Sequence, residues 1–120
     1  MSIDDPKVID IASIDPKGIV ILTISDHLDW QDNKNHIRLL QQKLNAYLAF
    51  VESGDIFQKY PEAKDRPVVF RVVSKFRPDF EGERFLIQAK SIVESAGFSL
   101  KHELYAESYD NWSGADASTL

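Results

Sequence analysis

Between Ile24 and Ile37 the chain reads ISDHLDWQDNKNHI, which gathers Asp26, Asp29, Asp32, His27 and His36 around Trp30. Carboxylates and imidazoles hold zinc, iron or manganese and also move protons, so this crowding invites a site. His27 and Asp29 sit two apart, and His36 follows nine residues after His27. A strand end and a helix start can face one another, so these three can converge. The spacing matches neither the His-Glu-x-x-His metal motif nor a calcium loop. A structural reading needs fewer assumptions. Asp26 and Asp29 accept backbone N–H bonds in turns, Asp32 or Asn33 caps a helix, Trp30 covers the end of the core, and His36 flanks an apolar stripe. The structural role is favoured, and ligand binding by Asp26, His27, Asp29, Trp30 and His36 is the alternative. Ser25, His27 and Asp29 do not make a nucleophilic triad. They sit on one strand end, where neighbours alternate faces, and no G-x-S-x-G elbow is present.

A second candidate lies in RVVSKFRPDFEGER, residues 71–84. Lys75 and Arg77 fall at a strand exit, just before a helix whose first N–H groups could hold an anion. If the strands carrying Asp26 and Lys75 are parallel, then Asp26, His27, Asp29, Lys75 and Arg77 share one rim. Surface ion pairing is the competing explanation. His102 alternates with apolar residues in the last strand, which suits a partly buried strand histidine or a dimer contact better than a ligand.

These groups need elements to position them. VIDIA (8–12) is a short strand, and IDPKG (14–18) is a turn with Pro and Gly in turn positions. IVILTIS (19–25) is apolar and β-branched at nearly every position, which suits a central strand buried on both faces. Ile37, Leu40, Leu44, Leu48 and Val51 recur at helical spacing, widened by Leu39, Ala46 and Phe50, so a helix spans 33–53 with Gly54 ending it. In the connection 55–67, Ile56, Phe57 and Tyr60 mark a short packed helical turn. VVFRVVSKF (68–76) is a strand. A second helix covers 80–96, with Phe85, Ala89, Ile92 and Ala96 on its stripe, Leu86 and Val93 beside it, and Glu81 and Glu83 in the first turn. Gly97 and Phe98 suit a Schellman ending. FSLKHELY (98–105) alternates as a half-exposed edge strand.

The order β-β-α-β-α-β predicts an α+β fold with a four-stranded mixed sheet and both helices packed on one face by right-handed crossovers. The direction of the third strand is left open. One domain covers 1–106. The polar tail 107–120 is expected to be largely disordered, apart from Trp112, which suits docking on the domain or on a partner.

VIDIASIDPKGIVILTISDHLDW, LLQQKLNAYLAFVESGDI, RPVVFRVVSKF and AGFSL together resemble an uncharacterised bacterial family known as a domain of unknown function. The resemblance spans roughly residues 8–105. DHLDW and the Glu-Ser-Gly at 52–54 carry most of it. It implies a small stand-alone bacterial protein and brings no activity, substrate or site residue with it.

Composition narrows the classes. The chain has 43% apolar and 28% charged residues, as globular proteins do. Its lack of cysteine excludes disulfides, thiol catalysis and thiolate zinc sites, and fits a reducing cytoplasm. Nineteen acidic against fourteen basic residues, a net charge of −5, argue against nucleic acid. The start lacks the pattern of a signal peptide, and apolar runs such as Ile19–Leu22 are too short to span a bilayer. No cofactor motif is recognisable. The expected function is a non-enzymatic cytoplasmic module that binds a protein partner or pairs with itself as a homodimer. The alternative is a small-molecule or metal-binding protein, an enzyme included, using the Asp26-His27-Asp29 segment.

Overall fold

The computed structural model describes residues 11–105 and 118–119. The expectations for residues 1–10 and for most of the tail, Trp112 included, fall outside the described residues.

Strand β1 (Ile11–Ile14) and strand β2 (Val20–Asp26) form an antiparallel hairpin, with Ile14 opposite Val20, so the first strand runs two residues past its expected end at Ala12. Asp15 makes the turn. Its carboxylate accepts the N–H groups of Lys17 (2.9 Å) and Ile19 (2.8 Å), and Gly18 takes the positive φ of 87° that the turn requires. Helix α1 (Asn33–Glu52) follows, then the short α2 (Asp55–Lys59) and a 3₁₀ turn (Pro61–Ala63). Strand β3 (Val68–Ser74), helix α3 (Phe80–Ser95) and strand β4 (Ser99–Leu104) complete the α+β fold.

Strand β3 runs parallel to β2, and β4 runs parallel to β3. The two crossovers step the same way across the sheet, so α1 and α3 share one face and touch each other. A two-residue strand β5 (Ser118–Thr119) pairs antiparallel with β1. The sheet order is β4-β3-β2-β1-β5, which leaves β4 as one outer strand.

The core lies between the sheet and the helices. Val20, Leu22, Ile24, Phe70, Val72 and Leu100 face Leu40, Leu44, Tyr47 and Val93. Tyr47 is fully buried because its hydroxyl donates to the Thr23 carbonyl at 2.8 Å, and its ring meets Phe70 edge-on. Strand β2 is not sealed on both faces, since Ile21 and Ser25 on the helix-free side are only half-buried.

Helix α1 turns most of its expected stripe inward, whereas α3 is rotated toward Leu86 and Val93, the residues beside its expected stripe. In α1 the buried residues are His36, Leu40, Lys43, Leu44, Tyr47 and Val51, while Ile37 and Leu48 are half-buried. In α3 they are Gly82, Leu86, Ala89 and Val93, and Ile92 is left 63% exposed. Each helix carries two adjacent apolar stripes. His36 and Gly82, which both pack against Trp30 at the helix starts, set which residues turn inward, as described next.

Helix α3 ends as expected. Gly97 has φ 94°, the Gly97 N–H donates to Glu94, and the Phe98 N–H donates to Val93, the two bonds of a Schellman motif.

Candidate functional site

The crowded stretch follows the carboxyl end of β2. Asp26 is the last residue of that strand and falls on its helix-facing side, 2% exposed. The fully buried His36 meets it from the first turn of α1, with Nε2 2.5 Å from Asp26 Oδ2. The other ring nitrogen, Nδ1, lies 2.9 Å from the Asp29 carbonyl. A carbonyl oxygen can only accept, so Nδ1 carries a hydrogen and donates it. A single hydrogen therefore bridges Nε2 and the carboxylate. The same carboxylate accepts the Leu28 N–H at 3.2 Å through Oδ1.

Trp30 closes this pair from outside. Its ring stacks on His36 with centroids 3.6 Å apart and planes 21° from parallel. Its indole N–H donates to the Phe76 carbonyl at 3.3 Å. On the far side Trp30 lies against Gly82, where a Cβ would come within 2.6 Å of the ring. Gly82 is thus required for close approach rather than for backbone freedom. Asp79 caps α3 by accepting the Gly82 N–H at 2.8 Å, and Asn33 of α1 donates to the same carboxylate at 3.0 Å. These bonds knot the start of both long helices to the ends of β2 and β3.

One further polar link leads outward. Ser74 pairs in register with Asp26, and its hydroxyl sits 3.5 Å from Asp26 Oδ2 and 2.9 Å from His102 Nε2. His102 is exposed, not partly buried, because β4 is the outer strand. The chain His102–Ser74–Asp26–His36 superficially resembles a nucleophilic triad, but its order is wrong. The carboxylate faces the serine rather than orienting the imidazole that would deprotonate it, and Ser74 is 1% exposed.

The sequence candidates separate accordingly. Because β2 and β3 are parallel, Asp26, His27, Asp29, Lys75 and Arg77 leave the sheet at one rim, and the Lys75 N–H donates to the Asp26 carbonyl at 2.8 Å. Of the five, only Asp26 is buried; His27, Asp29, Lys75 and Arg77 are exposed. The Asp29 carboxylate accepts the Gln31 N–H at 3.1 Å, and Asp32 caps α1 through the Asn35 N–H at 3.3 Å. Lys75 Nζ lies over the Phe76 ring, 5.5 Å from its centroid. Among the described residues no three His, Asp or Glu side chains converge as a metal-binding group. The start of α3 already holds the Asp79 carboxylate, with Glu81 and Glu83 beside it, so its dipole is met by acids of the chain itself.

Sequence reasoning missed Ser74, Gly82 and Lys43. Ser74 becomes visible only once β2 and β3 are known to be parallel, since that register sets it opposite Asp26. Gly82 gives no local signal because its role is defined by a ring brought from Trp30. Lys43 is fully buried in the α1 stripe, with Nζ 5.7 Å from the centroid of the Tyr47 ring. Its charged type hid it.

A second region has the opposite character. The outer edge of β4 has no strand beside it among the described residues. Along that edge α3 leaves Ile87 70% exposed. A groove of about 510 Å³ runs between the two elements, bordered by Glu83, Ile87, Lys90, Leu100, Lys101 and His102. This edge combines an outer strand with an apolar flank and charges at its border, the features on which strand addition works.

Among the described residues no helix is long and apolar enough to cross a membrane. No curated protein and no solved structure matches the chain. The family model of DUF6572, a family of unknown function, matches residues 1–106, and the chain belongs to that family.

Proposed function

We propose that this protein is a small non-enzymatic module of the cytoplasm that docks an extended protein segment along the β4 edge. The outer edge of β4, which has no strand beside it among the described residues and lies beside the exposed Ile87, supports this reading. An extended segment laid against β4 satisfies the outward N–H and C=O groups of the strand. Its alternate side chains then enter the groove and cover Ile87 and Leu100. At the opposite side of the sheet, Ser13 and Ile14 of β1 pair with Ser118–Thr119. The rim at Asp26 and His36 serves this function indirectly. It fixes α3 over β3 and β4 and so holds the groove in shape.

The test is site-specific photo-cross-linking in cells producing the full chain, with the reactive side chain at position 87 and, as a control, at position 92 on the exposed Ile92. The expected result is a strong adduct at 87, mapped to an extended stretch of polypeptide. No adduct at 87, or one no stronger than at 92, would overturn the docking surface.

A further inference from the structure

We propose that the segment docked on β4 is β4 of a second copy, paired antiparallel about a two-fold axis through His102. The proposal rests on the docking reading above and names its partner. The strand reads SLKHEL with Tyr105 next. Antiparallel pairing centred on His102 sets Lys101 against Glu103 of the second copy, and Glu103 against Lys101. It sets Leu100 against Leu104 on the helix-bearing face, and Ser99 against Tyr105 on the other. Every position then meets a compatible one, with two opposite-charge pairs and two apolar pairs.

Neighbouring registers that keep the helices of both copies on one face fail this test. Centring on Lys101 puts lysine against lysine, and centring on Glu103 puts glutamate against glutamate, which cross-strand pairing penalises. The charge pattern of the strand thus selects one register.

Helix α3 repeats the pattern. Glu83, Ile87 and Lys90 border the same groove. The two-fold that pairs the strands also sets the two α3 helices antiparallel across the seam. Glu83 of one copy then lies toward Lys90 of the other, with the two Ile87 side chains between them. Glu103 gains a second cation, since Arg71 Nε of its own chain already lies 3.9 Å from Glu103 Oε2. His102, held by Ser74 at 2.9 Å, faces its own symmetry mate at the centre. The product is one continuous sheet through two copies with an isologous seam, the self-complementary contact a two-fold requires.

Sedimentation equilibrium of the full chain tests the register by charge exchange. The wild type is expected to dimerise. Lys101→Glu and Glu103→Lys each convert both attractive pairs into repulsive ones, so each should raise the dimer Kd about tenfold or more. The double exchange Lys101→Glu with Glu103→Lys restores opposite charges and should recover most of the affinity. Thermal melts of all three variants check that the fold is intact, and Ile87→Lys provides a separate disruption of the seam. A wild type that stays monomeric at high concentration overturns the self-pairing. So do single variants that dimerise like the wild type, or a double exchange that fails to recover. The cross-linking at position 87 separates the two readings. A mapped adduct to a different protein sinks the self-pairing and leaves the docking surface standing, whereas no adduct removes both.

Discussion

The rim at Asp26 and the edge at β4 contain the same kinds of side chain and use them in opposite ways. At the rim, His36, Asp26, Trp30, Asp79 and Asn33 are bonded to one another or to backbone within the chain. At the edge, Lys101 and His102 are exposed beside an apolar residue left open at Ile87. Density of chemically capable residues is therefore a poor guide here. The rim spends its polar groups on holding elements together, because a buried carboxylate and imidazole are stable only with each other's bonds. The edge is sparser, but Lys101, His102 and Ile87 there are exposed.

The largest effect should come from breaking the buried pair. His36→Ala leaves the Asp26 carboxylate buried with only the Leu28 N–H and the long contact to Ser74. The expected loss is about 3–5 kcal/mol of stability, read from the midpoint of a urea titration. A loss below about 1 kcal/mol would show that the rim does not hold the fold.

Gly82→Ala comes next. Its Cβ would overlap Trp30, with an expected cost of about 1–3 kcal/mol, reduced by the better helix propensity of alanine. A cycle with Trp30→Leu sharpens the point. With the ring gone the alanine should cost almost nothing, so the two changes must be strongly non-additive. Additive costs would deny the contact.

Asp79→Ala removes the α3 cap and the link to Asn33, about 1 kcal/mol by thermal or chemical melt. Tyr47→Phe should cost a similar amount, about 1 kcal/mol, for the lost bond to the Thr23 carbonyl.

Edge variants should have the smallest effect on stability. Ile87→Lys is expected within about 0.5 kcal/mol of the wild type, since the side chain is already mostly in water. The same variant should weaken association along the groove. A large drop in stability without loss of association would reverse the comparison between the two regions.

Much of the architecture was legible in the sequence because periodicity reports burial. The ββαβαβ order, the hairpin turn at Asp15, the Asp32 cap and the Gly97–Phe98 ending all rest on local physical rules, and each is present. The inward faces of α1 and α3 were legible in part: Leu40, Leu44, Val51 and Ala89 are buried as their spacing expects, whereas the buried His36, Lys43 and Gly82 were not foreseen. Apolar residues alone point to Ile37 and Ile92, whereas the partners of His36 and Gly82 come from elements distant in sequence. The site was half legible. Residue types marked Asp26, Trp30 and His36, but the parallel pairing that brings Ser74 beside Asp26 is a long-range fact. His102 was read as a strand residue or dimer contact, and its exposure follows from the place of β4 at the edge of the sheet.

The most direct measurement is hydrogen exchange of the full chain, followed amide by amide at low and high protein concentration. Pairing along β4 predicts that protection rises with concentration in Ser99–Leu104, while amides from Asp26 to His36 stay unchanged. Exchange in Ser99–Leu104 that does not respond to concentration, or a response centred on the rim instead, would contradict the assignment of the β4 edge as the surface through which this protein works.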